Sequence, residues 1–341
     1  MPTPAAPSTD ARPVLVAPDS FKGTLRASEV AAAIGRGLER AGCIPPDLMP
    51  VADGGEGTME VLLLALGGET CGVEVSGPLG DPLRAGFALI ESGSGAVVEV
   101  AAASGLTLVP EQCRDAEAAS TYGTGELIAA AVEAGAEVVL VGAGGSATTD
   151  GGAGAIEAIE ERGGLRGATL VVLCDIRMPF EQSAERFGPQ KGADAAAVKR
   201  LTRRMDAFAA SLPRDPRGVP MTGAAGGLAG GLWARYGAEL KPGARFVLDA
   251  LDAQTRMRAA RALVVGEGRM DSTTLEGKIA GELATDGRQS GVPCHAIAGQ
   301  DGLTLFERRI IDLQTVQQAS TVDELEAAGE RLGRELQSGR A

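Results

Sequence analysis

Short β-branched runs alternate along the chain with stretches in which apolar residues recur every three or four positions. The runs are Val14-Leu-Val16, Glu137-Val-Val-Leu-Val141, Thr169-Leu-Val-Val-Leu173 and Ala262-Leu-Val-Val265; the helical stretches include residues 27–41 and a last one over 322–336. Strands that alternate with amphipathic helices argue for parallel α/β units. In the first helix Ser28 stands at the expected start, and Val30, Ile34 and Leu38 make a stripe that would pack on a sheet. Residues 72–99 read differently, as shorter strands separated by Gly77-Pro-Leu-Gly-Asp-Pro82 and Glu91-Ser-Gly-Ser-Gly95 turns, which predicts a second, mixed domain. The first thirteen residues are rich in Pro, Ala, Ser and Thr and read as a disordered lead-in without a signal-peptide pattern. A short pattern occurs twice, Asp53-Gly-Gly-Glu-Gly57 and Asp150-Gly-Gly-Ala-Gly154, each ahead of a helical stretch.

Composition narrows the function classes. The 341 residues are 44% apolar, enough for two ordinary domains. With 32 Lys and Arg against 45 Asp and Glu, the formal charge of −13 repels phosphate backbones and anionic lipid, so neither nucleic acid nor a membrane surface is an expected partner. No window approaches the ~18 uncharged apolar residues of a membrane span, and a cytoplasmic location is expected. Five widely spaced cysteines suggest neither disulfides nor a zinc site, and His295, the one histidine, falls in a buried-strand pattern. Aromatics are 3%, too few for base stacking, whereas glycine reaches 49 residues, and clustered glycine permits backbone approaches that side chains forbid.

The densest glycine cluster, Gly142-Ala-Gly-Gly-Ser-Ala-Thr-Thr-Asp-Gly-Gly-Ala-Gly154, follows one strand and precedes a helix, an arrangement that converges N–H groups on an anion. The helix end supplies only about 0.3–1 kcal/mol, so a phosphate there needs Lys, Arg or a metal as well. Gly142-x-Gly-x-x-Ala147 fits the loose dinucleotide fingerprint of a hydride-transfer enzyme, but the nearest acidic candidate, Asp175, lies too far along, and no G-x-x-x-x-G-K-[ST] loop exists. Four further polar clusters fall where strands end: Asp19-Ser-Phe-Lys22, Ala52-Asp53-Gly-Gly-Glu56, Asp175, and Gly266-Glu-Gly-Arg-Met-Asp271. Together they supply carboxylates for Mg2+, a base for a hydroxyl and cations for phosphate and carboxylate, a phosphoryl-transfer set. Each alone reads equally well as a helix cap, a turn or a surface ion pair, and Lys191 alone reads as a solvated turn residue. Residues 223–231, mostly glycine and alanine, suit close helix packing as well as ligand approach.

Beyond these local readings, the chain resembles the glycerate kinases of the bacterial glycerate 2-kinase type. The matching segments include Ala17-Pro-Asp-Ser-Phe-Lys-Gly23, Pro50-Val-Ala-Asp-Gly-Gly-Glu-Gly-Thr58, Gly77-Pro-Leu-Gly80, Ala101-Ala-Ala-Ser-Gly-Leu106, Ser120-Thr-Tyr-Gly-Thr-Gly-Glu-Leu-Ile128, Gly144-Gly-Ser-Ala-Thr148, Phe187-Gly-Pro-Gln-Lys-Gly-Ala193, Gly223-Ala-Ala-Gly-Gly-Leu228 and Gly266-Glu-Gly-Arg269. The resemblance implies an ATP- and Mg2+-dependent kinase that phosphorylates D-glycerate to 2-phosphoglycerate, and leaves the oligomeric state open. It implies an α/β fold of two domains with ligands in the cleft: a Rossmann-like parallel-sheet domain built from both chain ends, residues 14–72 plus 255–341, and an inserted mixed α/β domain over 73–254, after the tail 1–13.

Within that frame, chemistry assigns the roles. Gly144, Gly145, Ser146, Thr148 and Lys191 are expected to meet ATP phosphates; Lys22 and Arg269, with Ser20 and Glu267, to hold the glycerate carboxylate or the transferring group; Asp271 or Asp175 to accept the hydroxyl proton; and Asp53, Glu56 and Asp150 to serve Mg2+. The chain departs from the family after Asp175, at Thr149, and over Ser272 to Ala280, changes that would permit a related hydroxy acid as substrate or a non-catalytic sensor of such acids.

Overall fold

The computed structural model describes residues 12–21 and 23–338. Its strands are β1 (Val14–Pro18), β2 (Asp47–Leu48), β3 (Gly68–Ser76), β4 (Pro82–Ile90), β5 (Gly95–Glu99), β6 (Val138–Gly142), β7 (Thr169–Cys174), β8 (Glu239–Pro242), β9 (Ala262–Met270), β10 (Cys294–Asp301) and β11 (Leu313–Gln318). They divide between two compact units that part at Val51 and Asp252.

The first unit takes both chain ends and holds an all-parallel sheet in the order β11-β10-β9-β1-β2. Val14 and Val16 of β1, Val264 of β9 and Ile297 of β10 meet the stripe Val30, Ile34 and Leu38 of the helix Ala27–Arg40. Leu325 and Leu332 of the C-terminal helix Val322–Ser338 join the same core. These two helices touch backbone to backbone: a Cβ on Gly37 would collide with the Glu326 carbonyl, and one on Gly329 with that of Ile34. The first helix starts at Ala27, and its cap lies two residues ahead of Ser28. Arg26 holds the extended cap conformation, and Glu29 three residues on accepts its N–H at 2.9 Å and pairs with its guanidinium at 3.2 Å, so only the returning half of a capping box is made and no hydroxyl takes part.

The second unit, residues 52–251, holds a mixed sheet in the order β3-β4-β5-β6-β7-β8. β4 runs antiparallel to its neighbours β3 and β5, in the turn-rich stretch over 72–99, and β5 to β8 run parallel. Alternation along the central strands covers both faces. Val139, Val141, Leu170 and Val172 face a core with Leu127, Ile128, Ile156 and Leu228, while Leu140, Val171 and Leu173 face another with Leu62 and Phe246. Leu62 explains why the first boundary lies at Val51 rather than at residue 72. The helix Thr58–Leu66 buries it against Ala88, Ile90 and Val97 of the second sheet, and the whole Asp53 segment goes with it. Of the expected tail, residues 1–11 lie outside the described residues; Pro13 already pairs, accepting the Arg261 N–H at 2.9 Å.

Candidate active site

In the second unit, β5, β6 and β7 end side by side, and each end carries polar chemistry. The loop after β6 is pinned on both sides: Leu106 donates its N–H to the Gly145 carbonyl at 2.8 Å, and Ala147 donates to that of Ser104 at 2.8 Å. Gly145 needs its left-handed backbone, φ 71°, to make this bend.

Lys191 reaches the same loop from the turn Pro189–Lys191, which ends on Gly192 at φ 94°. Its side chain is 3% exposed, and its ammonium donates to Ser146 Oγ at 2.9 Å and to the Thr148 carbonyl at 2.6 Å. Burial pushes the ammonium pKa down to about 8, against the opposing pull of the Asp150 and Asp175 charges. A cavity of about 90 Å3 opens beside it, walled by Gly145, Ser146, Asp175, Lys191, Ala225 and Gly226. Lys191 is therefore no solvated turn residue. In the glycine cluster over 223–231, Ala225 and Gly226 line this cavity, and Gly226 also abuts the Thr148 carbonyl.

The Asp53 loop lies against the phosphate-type loop. A Cβ on Gly144 would stand 2.5 Å from the Gly55 Cα and 3.7 Å from Asp175 Oδ2, and one on Gly55 would stand 3.0 Å from Asp53 Oδ1. The carboxylates of Asp53 and Asp175 thus flank one glycine–glycine contact. Asp53 Oδ1 accepts the Gly55 N–H at 3.0 Å, which shapes the turn. Glu99, at the end of β5, accepts the N–H groups of Gly57 at 3.0 Å and Met59 at 2.8 Å; burial raises its pKa to about 7 against these bonds.

Asp150 is committed elsewhere than at a metal. Its Oδ2 accepts the N–H and hydroxyl of Thr121 at 2.8 and 2.7 Å and the Gly154 N–H at 3.3 Å, and its Oδ1 accepts the Gly152 N–H at 3.1 Å. Those donors tie the turn to the start of the helix Ala153–Glu161, so the expected Mg2+ role for Asp150 does not fit. Among the described residues no group of three His, Cys, Asp or Glu side chains forms a metal site. Asp53 and Asp175 suit Mg2+ nonetheless, a cation that takes one or two protein carboxylates and completes its shell with water. Glu56 sits half-buried on the same loop.

In the first unit the ends of β1 and β9 adjoin, the Asp19 N–H donating to the Gly266 carbonyl at 2.8 Å. Asp19 Oδ1 accepts the Ser20 N–H at 2.6 Å, and the Ser20 hydroxyl is buried without a hydrogen-bond partner among the described residues. Lys22 lies outside the described residues. Glu267 bonds the Lys278 ammonium and accepts the Thr274 hydroxyl at 3.1 Å. Asp271 Oδ1 accepts the Thr273 N–H at 3.0 Å and hydroxyl at 2.5 Å, and Oδ2 faces Arg269 Nε at 3.2 Å. The Thr273 hydroxyl, with Lys278 and Arg269 behind it, holds the Asp271 carboxyl below the usual range, which makes it a weak base.

The structure thus gathers Asp53, Glu56, the Gly144 to Thr148 loop, Asp175 and Lys191 within one unit, and Ser20, Glu267, Arg269 and Asp271 within the other. Sequence reasoning passed over Glu99 and Lys278. Glu99 had as its signal an acidic residue at the end of an apolar strand.

Parallel strands ending in glycine-rich loops, with a buried lysine and paired carboxylates, define a class of enzyme that handles phosphate esters. The chain belongs to the glycerate kinase family, whose sequence pattern matches residues 14–162 and 160–338. Membership makes it a kinase with an alcohol group as acceptor. It is 38% identical over 325 residues to the glycerate 2-kinase of Escherichia coli (strain K12), covering 84% of each chain. It is 40% identical over 328 residues to the glycerate kinase of Bacillus subtilis (strain 168), again 84% of each. A crystal structure from Salmonella typhimurium LT2, described provisionally as glycerate kinase 2, superposes with a TM-score of 0.79 at 32% identity, covering 96% of this chain and 99% of that one. No helix among the described residues is long and apolar enough to cross a membrane.

Proposed function

We propose that this chain transfers the γ-phosphoryl group of ATP to D-glycerate in the presence of Mg2+ and releases 2-phosphoglycerate. The observation that carries this reading is the buried Lys191 ammonium on the wall of a glycine-lined cavity. A buried cation is costly unless an anion repays the desolvation, and a glycine loop at a strand's carboxyl end is a backbone type that suits phosphate oxygens. The name of the Escherichia coli relative supports attack by the 2-hydroxyl.

Gly144, Gly145, Ser146 and Thr148 then bind phosphate with Lys191, and Asp53, Glu56 and Asp175 hold Mg2+ directly or through water. When bound, Mg2+ neutralises charge on the transferring group. Lys22 and Arg269, with Ser20 and Glu267 beside them, are the proposed ligands of the glycerate carboxylate. The hydroxyl proton passes to Asp271, or to Asp175 where Asp53 and Glu56 alone hold Mg2+. Because Asp271 is a weak base, its use depends on positioning, and positioned base catalysis contributes roughly 10² to 10⁴ in rate. Asp271→Asn and Asp175→Asn are each expected to lower kcat by that factor if the residue is the acceptor, and a near-wild-type kcat removes it from the role.

The direct test supplies D-glycerate, ATP and Mg2+ and couples the product to enolase with no phosphoglycerate mutase present. Signal is expected. Signal that appears only on adding the mutase overturns the 2-hydroxyl assignment, and no ADP release overturns the substrate.

A further inference from the structure

The Ala101-Ala-Ala-Ser-Gly-Leu106 motif has no part in the proposed reaction, yet the segment it belongs to touches both loops that do. Glu99 stands at its start, 8% exposed. Its Oε1 accepts the N–H groups of Gly57 and Met59, donors at the first turn of the helix Thr58–Leu66. That helix has glycine at its cap position and so no side chain of its own for the task; a carboxylate from β5 does it instead. The residues just ahead of the cap are Asp53-Gly-Gly-Glu56. In the sheet Glu99 pairs with Gly142, where a Cβ would stand 3.0 Å from the Gly54 carbonyl and 3.7 Å from Glu99 Cγ. Further along, Ser104 and Leu106 make the two main-chain bonds that fix Gly145 and Ala147. One segment therefore grips the carboxylate loop at residue 99 and the phosphate-type loop at 104 and 106.

We infer that Glu99 is a positioning residue that holds Asp53 and Glu56 in place against the phosphate-type loop, and through them sets the affinity for Mg2+. The inference rests on the metal role proposed above for Asp53 and Glu56. Removing the carboxylate leaves two N–H groups at a helix start without their acceptor and frees the loop ahead of them, whereas glutamine keeps an oxygen in the same place.

The experiment compares Glu99→Gln, Glu99→Asp and Glu99→Ala in the full chain. It reads Mn2+ binding by electron paramagnetic resonance, half-saturating Mg2+ at saturating ATP, and amide exchange at Gly57 and Met59. Loss of an indirect metal partner costs roughly 10- to 100-fold in affinity, so Glu99→Ala is expected to weaken Mn2+ binding by about that factor and to speed exchange at both amides. Glu99→Gln is expected to stay within about threefold of wild type. Wild-type Mn2+ affinity in Glu99→Ala overturns the inference. So does a loss in Glu99→Gln equal to that in Glu99→Ala, since the charge rather than the hydrogen bonds would then matter. If Glu99→Ala fails to fold, Glu99→Asp, one methylene too short to reach, takes its place under the same criteria. Absence of Mn2+ binding by the wild-type protein fails the metal assignment itself, a result distinct from wild-type binding that ignores Glu99; either one removes the inference.

Discussion

Lys191 shows what a single residue costs and what it provides. Its folded pKa of about 8 lies below the 10.5 of an ordinary lysine, so between those values the unfolded chain binds more protons than the folded one. Stability of the ligand-free protein therefore rises with pH through that window, and below about pH 8 the full cost of burying the charge is present. Lys191→Met is expected to abolish the rise and to melt no lower than wild type at pH 7, while its Kd for ADP increases at least about tenfold, the loss of one charge-assisted contact. Thermal melts at pH 7, 8, 9 and 10 with calorimetric titration of ADP check both halves; a lower Tm together with unchanged ADP affinity would make Lys191 a purely structural residue. Asp150 is the reverse case, a carboxylate that looks metal-binding beside its glycines and serves to hold a turn. Asp150→Ala is expected to lose about 1–3 kcal/mol of stability, because buried donors lose their acceptor, with half-saturating Mg2+ unmoved. Denaturant unfolding and a Mg2+ titration of turnover separate those effects. Neither role was readable from composition, since burial of Lys191 and the partners of Asp150 depend on residues 43 and 29 positions away in sequence.

At the scale of elements, the strands and the phosphate-type loop were legible because hydrophobic period and glycine punctuation are local signals. Helix ends and allegiance were less so. The start of the first helix is set by Arg26 and Glu29, a pair that propensity ranks below Ser28, and the helix Thr58–Leu66 joined the second unit only because Leu62 finds its apolar neighbours there. The contact of Gly55 with Gly144 was likewise invisible, since it joins two loops far apart in sequence, although each glycine cluster was conspicuous by itself. That contact is directly testable. A methyl group on Gly144 would stand 2.5 Å from the Gly55 Cα, closer than real Cβ contacts allow, so the two loops must separate. Gly144→Ala is expected to cost about 1–3 kcal/mol in stability and to lower turnover by a larger factor than thermal destabilisation explains, because Asp53 and Asp175 flank the contact. Turnover and Tm measured on the same preparation decide it; wild-type turnover would show that the spacing of the two loops is irrelevant to the reaction.

At the scale of the whole molecule, the chain builds one unit from its two ends and the other from one continuous stretch, with the division drawn by where side chains are buried. The continuous unit has its own six-stranded sheet with apolar residues covering both faces. Its two ends also lie together, because Gly243, at the start of its last helix, packs against the backbone of Asp53 and Gly54, where a Cβ would stand 2.6 Å from the Gly54 Cα. A unit with its own core and adjacent ends is the kind that folds apart from its host. Residues 52–251 expressed alone are therefore expected to unfold in one cooperative transition. The cavity beside Lys191, the Gly144 to Thr148 loop, Asp53 and Asp175 all come from this stretch, so ADP with Mg2+ should raise its Tm in a concentration-dependent way, by the linkage between binding and folding. Phosphoryl transfer to D-glycerate should be absent from it, because Lys22, Arg269 and Asp271 remain on the other unit. Differential scanning fluorimetry over a range of ADP concentrations, with the enolase-coupled assay run alongside, makes the test. A cooperative melt that ADP does not shift would mean that the phosphate-type loop needs residues outside 52–251 to bind, and would move the nucleotide assignment off Lys191.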